Sequence, residues 1–175
     1  MRREKIISGS EYGTIMHTVL QHIDFQREAS DAEIDRQLVE MVSREIITPK
    51  EKDVVEVSCL QRFFVSMVGQ RMKNAVRVWR ELPFSKMLPA KRYFDIKDET
   101  AEIFCQGVID LLIEENDGLV LIDYKTDKET EPQKVREKHT LQINLYTEAV
   151  ETILKKKVKE KYLFMLRDGS FVQIE

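Results

Sequence analysis

Along the first part of the chain, apolar residues recur every three or four positions; later they alternate or run unbroken. In 12–25, Tyr12, Met16, Val19, Leu20 and Ile23 form one stripe at helical spacing. Residues 30–33 read Ser-Asp-Ala-Glu, a capping box that opens a second helix to about Ile46. Residues 48–51 read Thr-Pro-Lys-Glu, a second box with Pro49 at the first helical position, and predict a third helix into Phe64. A short fourth helix is expected over 70–77. From Trp79 the pattern changes. Pro83 and Pro89 punctuate an extended stretch, and strands are expected over 91–96, 103–113 and 119–125. Residues 137–155 are helical again, with Leu141, Leu145, Ala149, Val150 and Ile153 on the apolar face. Residues 161–166 predict a further strand, and 167–175 a turn and a last edge strand. Helices followed by a sheet with one long helix imply a single α/β or α+β domain over 1–175, helical over about 11–77 and sheet-forming over about 78–175.

Residues 107–127, GVIDLLIEENDGLVLIDYKTD, form the most informative stretch. They read as two buried strands joined at Asn-Asp-Gly, a strong reversal signal. A turn centred between Asn116 and Asp117 sets Asp110 opposite Asp123. Directly opposed side chains have Cβ atoms about 5 Å apart on one face. Asp123 and Lys125 share a face by alternation, while Val120, Ile122 and Tyr124 occupy the other. Two such carboxylates repel unless one is protonated or a cation sits between them. An oxygen-rich site of this kind suits Mg²⁺ or Mn²⁺. A structural Asp–Lys ion pair is the other reading these residues allow.

Composition narrows the partners. The net charge of −3 indicates no nucleic-acid partner by itself. Its distribution says more. Between Arg62 and Arg92 lie eight basic residues (Arg62, Arg71, Lys73, Arg77, Arg80, Lys86, Lys91, Arg92) and one acid, Glu81. That segment is +7 and the remainder −10, so it is a candidate footprint for phosphates. Arg62, Arg71 and Lys73 are its candidate phosphate contacts; a solvated helical face is the alternative. Glu81 reads either as an extra carboxylate at a metal site or as the ion-pair partner of Arg77 or Arg80. Two cysteines, Cys59 and Cys105, match no disulfide framework, zinc ribbon or four-cysteine iron–sulfur site. No apolar run approaches the roughly 20 residues of a membrane span, and no secretory leader is evident, so the cytoplasm is the expected compartment.

The pattern Gly107-x-x-Asp110 followed by Asp123-x-Lys125 resembles the PD-(D/E)XK nuclease superfamily. Three further stretches resemble its RecB-type branch: Gly13–Gln21 as G-T-x-x-H, Asp123–Asp127 as the central motif, and Gln142–Tyr146 as Q-x-x-x-Y. The likeness is greatest to the nuclease domain at the C-terminus of AddA-type helicase–nuclease subunits, which Arg80–Phe84 also resembles. The resemblance implies a restriction-endonuclease-like mixed sheet flanked by helices. It implies an Mg²⁺-dependent (or Mn²⁺-dependent) deoxyribonuclease with no iron–sulfur cluster. Asp110, Asp123 and Lys125 would be catalytic, and His17, Asp110, Asp123 and the Tyr124 carbonyl would ligate the metal. Gln142, Tyr146, Thr14 and Gln21 would contact DNA. Thr14, His17 and Gln21 share a helical face. His22 and His139 lie outside these motifs and read as surface residues. The chain has no phosphate-binding loop of the Gly-x-x-x-x-Gly-Lys-Ser/Thr type. The resemblance therefore implies a piece of a longer bacterial polypeptide. Its partners would be single-stranded DNA or unwound duplex ends, the helicase portion of the same polypeptide and an AddB-type partner, with no membrane. A non-catalytic DNA-binding or docking domain of the same fold is the alternative function.

Overall fold

The computed structural model describes residues 8–129 and 131–175. Five helices come first: α1 (Gly9–His22), α2 (Asp31–Ser43), α3 (Pro49–Lys52), α4 (Val57–Val65) and α5 (Met67–Asn74). Then follow β1 (Arg77–Pro89), a 3₁₀ turn over Ala90–Arg92, β2 (Glu102–Glu115), β3 (Gly118–Lys125), α6 (Pro132–Leu154), β4 (Val158–Met165) and β5 (Ser170–Ile174). The chain groups into two compact units. One runs to Asn74 and takes in Tyr124–Lys128 and Phe164–Ser170; the other holds Ala75–Asp123, Glu129–Leu163 and Phe171–Glu175.

Capping starts the helices of the first unit. Ser8 and Glu11 close a reciprocal box at α1, as do Thr48 and Glu51 at α3. Ser30 accepts from the Glu33 amide at α2, while the Glu33 carboxylate turns instead to Arg36 and Arg27. The expected third helix is broken in two. Val54 and Val55, poor helix formers, fold back to the carbonyls of Glu51 and Lys52, and α4 starts afresh at Val57. The fourth helix ends at Asn74, three residues earlier than expected, because the extended run of β1 starts at Arg77. Ile15, Met16, Val19, Leu20, Leu60 and Phe63 fill the core of this unit. Phe63 stands edge-on to Tyr124 and Phe164, with ring centroids 6.1 and 4.8 Å away.

The strands form a five-stranded sheet in the order β1-β2-β3-β4-β5. β1 and β2 pair antiparallel, as do β2 and β3. β4 runs parallel to β3: the Leu119 amide bonds the Lys157 carbonyl and the Leu166 amide bonds the Lys125 carbonyl, so both chains advance together. The helix α6 makes the crossover between them and packs on β1 and β2. The sheet is thus mixed, as expected. The strand expected over 91–96 is not there. Residues 90–92 make a 3₁₀ turn, and the strand lies upstream in the proline-punctuated stretch. Pro83 and Pro89 are tolerated because β1 is the edge of the sheet, where a missing donor costs no ladder bond.

The buried stripe of α6 also differs from expectation. It is Val135, His139, Ile143, Ala149 and Val150, while Leu141 and Ile153 are exposed. His139, read as a surface residue, is buried because it sits one turn from both Val135 and Ile143. The helix ends at Lys155, which adopts the left-handed conformation (φ 55°). Among the described residues no helix is long and apolar enough to cross a membrane.

Candidate active site

The β2–β3 hairpin sets the acidic residues. Its register is the expected one, running from Glu115↔Gly118 to Leu111↔Ile122. Asp110 and Asp123 are the next residue on each strand beyond the last pair. Both are buried, at 6% and 4% exposure. A carboxylate out of water demands partners or a cation.

β1 adds a third carboxylate. Arg80 pairs with Leu111 and Leu82 with Ile109, which sets Glu81 opposite Asp110. Glu81 itself has φ 52°, a left-handed residue in the middle of a strand. Such a distortion re-aims a side chain at a cost of about 1–3 kcal/mol. Here it leaves carboxylate oxygens of Glu81 and Asp110 within 4.8 Å of each other. This second unit therefore concentrates acidic oxygens on one face of the sheet. A hard divalent cation fits that donor set. The sequence alone leaves Glu81 between an arginine partner and the metal site; the register and the backbone reversal bring it to Asp110.

The first unit holds the other motif residues. His17 on α1 meets the ring of Tyr124 edge-on, with centroids 5.3 Å apart. Gly13, one turn earlier, faces Thr126. A β-carbon at Gly13 would stand 3.0 Å from the Thr126 Cγ2, so glycine lets α1 approach the chain just after Lys125. The backbone there is held from the other side as well. Leu166 donates its amide to the Lys125 carbonyl at 2.8 Å, and Arg167 donates Nε to the Thr126 carbonyl at 2.9 Å. The Leu166 carbonyl in turn accepts from the Tyr12 hydroxyl and the Cys59 thiol, each at 3.2 Å. Burial, the leading cause in both, pushes Tyr12 up to about 12 and Cys59 up to about 11. Lys125 is half-buried, and it follows Asp123 by two residues along β3.

Of the expected DNA contacts, Gln142 and Tyr146 come together on α6. Gln142 Nε2 donates to the Tyr146 hydroxyl at 3.1 Å, and the Tyr146 ring meets Phe84 edge-on at 4.9 Å. Thr14 is exposed and bonds back to the Ser10 carbonyl, and Gln21 is half-buried. Arg62 lies against Gly169, where a β-carbon would stand 2.5 Å from its Nε. Arg71 and Lys73 occupy the last turn of α5, where cations suit the helix dipole. The basic segment does not act as one patch. Lys91 pairs with Glu99 and Arg92 with Glu148, while Arg77 stacks over Trp79.

The profile of the PD-(D/E)XK nuclease superfamily matches residues 2–173. The chain belongs to this superfamily. Its mixed sheet with flanking helices is the restriction-endonuclease-like fold. This nuclease-superfamily domain is similar to proteins named as the A-type component of an ATP-dependent helicase/nuclease. The one from Thermoanaerobacter pseudethanolicus is 38% identical over 99% of the chain and 14% of that protein. Ruminiclostridium cellulolyticum has one 38% identical over 98% of the chain and 14% of its own length. Clostridium novyi has another, 38% identical over 100% of the chain and 15% of its own length. The chain spans about a seventh of these curated relatives.

Proposed function

We propose that this nuclease-superfamily domain is a metal-dependent deoxyribonuclease that hydrolyses phosphodiester bonds in single-stranded DNA. The observation that supports it best is the β2–β3 hairpin, which ends its ladder at Asp110 and Asp123 and carries Lys125 two residues further on. Asp110 and Asp123 would hold Mg²⁺ or Mn²⁺ with His17 and the Tyr124 carbonyl, and Glu81 would add a carboxylate. The oxygen-rich donor set fits a hard cation, and one imidazole is compatible with it. When bound, the cation supplies Lewis-acid polarisation of the scissile phosphate and an acidified water.

The chain's own residues do the rest. The ammonium of Lys125 donates to a phosphoryl oxygen or to the attacking water as charge develops. The Tyr124 ring fixes the plane of His17, so its nitrogen is aimed before a ligand arrives. Gln142 orients the Tyr146 hydroxyl, and the pair contacts the strand being cut. Thr14, Gln21, Arg62, Arg71 and Lys73 are outlying DNA contacts in this reading.

The relatives' name supports a setting for the reaction. The domain, taken as 1–175, would be part of a longer polypeptide whose ATP-driven helicase portion feeds unwound ends of double-strand breaks to it. An AddB-type protein would be its partner, in the cytoplasm of a bacterium. The test is cleavage of an end-labelled oligodeoxynucleotide by the purified chain with Mg²⁺ or Mn²⁺, beside Asp123→Ala. The wild-type chain is expected to cut and the variant to lose cutting. Equal cleavage by the two would overturn the assignment.

A further inference from the structure

The β1–β2 hairpin reaches well beyond the part that β3 covers, and one face of that extension is bare. The register pairs Pro83 with Val108, Ser85 with Gln106 and Met87 with Phe104. All six are exposed, whereas their neighbours along each strand are at least partly covered. Phe104 is 62% exposed, Met87 43% and Val108 40%. A phenylalanine and a methionine so open to water form an apolar patch that asks for an occupant.

Alternation fixes where that patch leads. On β2, Phe104, Gln106 and Val108 lie on the same face as Asp110; on β1, Met87, Ser85 and Pro83 lie on the face of Glu81. Phe104 stands six residues from Asp110, about 20 Å along the strand. Beyond Glu81 the same face shows Trp79, with the Arg77 guanidinium 5.3 Å over its ring. The acidic pair is thus flanked by aromatic rings on one continuous surface. Between Phe104 and Asp110 that surface carries no charged side chain, only apolar groups, one hydroxyl and one amide. Such a surface suits the π-faces and polar edges of nucleobases and offers nothing to phosphates.

We propose that this bare face is a base-stacking platform for single-stranded DNA, with Phe104 as its principal contact and Met87 and Val108 beside it. The proposal rests on the nuclease reading and deepens it. The strand lies along the hairpin with its bases on the sheet, and its backbone passes the acidic residues. Affinity on this face comes from stacking, so removing Phe104 weakens binding without changing the salt dependence, which counts phosphate contacts.

The test uses the full chain in chelator, where no cutting occurs. Binding of a fluorescein-labelled oligothymidylate is followed by anisotropy for wild type, Phe104→Ala and Phe104→Trp. Loss of one stacked base corresponds to a drop in affinity of roughly tenfold. Phe104→Ala is expected to show that drop at every salt concentration, with an unchanged salt slope, and Phe104→Trp to bind as wild type. Unchanged affinity in Phe104→Ala overturns the platform. So does a wild-type chain that binds no oligonucleotide. So does sedimentation showing that the alanine variant only breaks up a self-associated form, which would make the face a protein-docking surface. Mg²⁺-dependent cutting is scored separately. Cutting by a Phe104→Ala chain of normal affinity removes the platform and leaves the nuclease, whereas the affinity drop in a chain that never cuts leaves the platform and removes the nuclease.

Discussion

Gly107 lies directly beneath the phenol of Tyr146. A β-carbon at that position would stand 2.6 Å from the hydroxyl oxygen and 2.9 Å from Cζ, with Phe84 only 3.1 Å away. The glycine of one motif is therefore the seat of the tyrosine of another. Gly107→Ala is expected to push Tyr146 aside and to cost about 1–3 kcal/mol in urea unfolding. The effect should be non-additive with Tyr146→Ala, because each change empties or fills the same space. A double-mutant cycle with zero coupling would show that the glycine serves some other purpose.

The carboxylates predict a cation-dependent stability. Saturating Mg²⁺ or Mn²⁺ should raise the thermal midpoint of the chain by roughly 5 °C, since a ligand bound only to the folded state stabilises it by mass action. Asp110→Asn and Asp123→Asn should lose this rise. Their midpoints in chelator should match or exceed that of wild type, because one of two neighbouring negative charges has gone. A full cation response in both variants would place the ion elsewhere. Glu81→Gln is expected to reduce the response while leaving part of it.

Lys125 should separate chemistry from metal binding. Lys125→Met is expected to keep the cation-induced rise in midpoint and to lower the cleavage rate by roughly 10²–10³, the loss typical of one charge-stabilising donor. If the midpoint response disappears as well, Lys125 is holding the acidic site together rather than assisting the reaction.

Tyr12 and Cys59 predict an alkaline limit. Both donate to the Leu166 carbonyl, and both are held protonated above their ordinary values of 10.0 and 9.0, chiefly by burial. The folded state therefore keeps protons that the unfolded chain releases. Their contribution is full below about pH 9 and is lost as pH rises through about 11 for Cys59 and about 12 for Tyr12. The urea midpoint should be flat from pH 7 to about 9 and fall above it. Cys59→Ala should remove the earlier part of the fall. In the folded chain near pH 8, a thiol reagent should label Cys105 well before the buried Cys59.

Much of this was legible in the sequence because it is local. Ser8, Ser30 and Thr48 cap helices within three residues of themselves, and Asn116-Asp117 sets the hairpin register that brings Asp110 beside Asp123. Period and turn chemistry reach that far and no further. The strand of Arg77–Pro89 was hidden, because its prolines argue against a strand until the sheet places it at an edge. The α6 face was misread because Leu141 and Ile153 are apolar yet exposed, while His139 is buried. Burial there is decided by which side of the helix meets the sheet. Glu81 is the clearest case. The residues around it establish an acid in a basic segment and leave its partner open. The folded chain settles that choice through the β1–β2 register and a left-handed backbone at one residue, since neither a long-range pairing nor a local reversal held by its neighbours is written in the residues beside it.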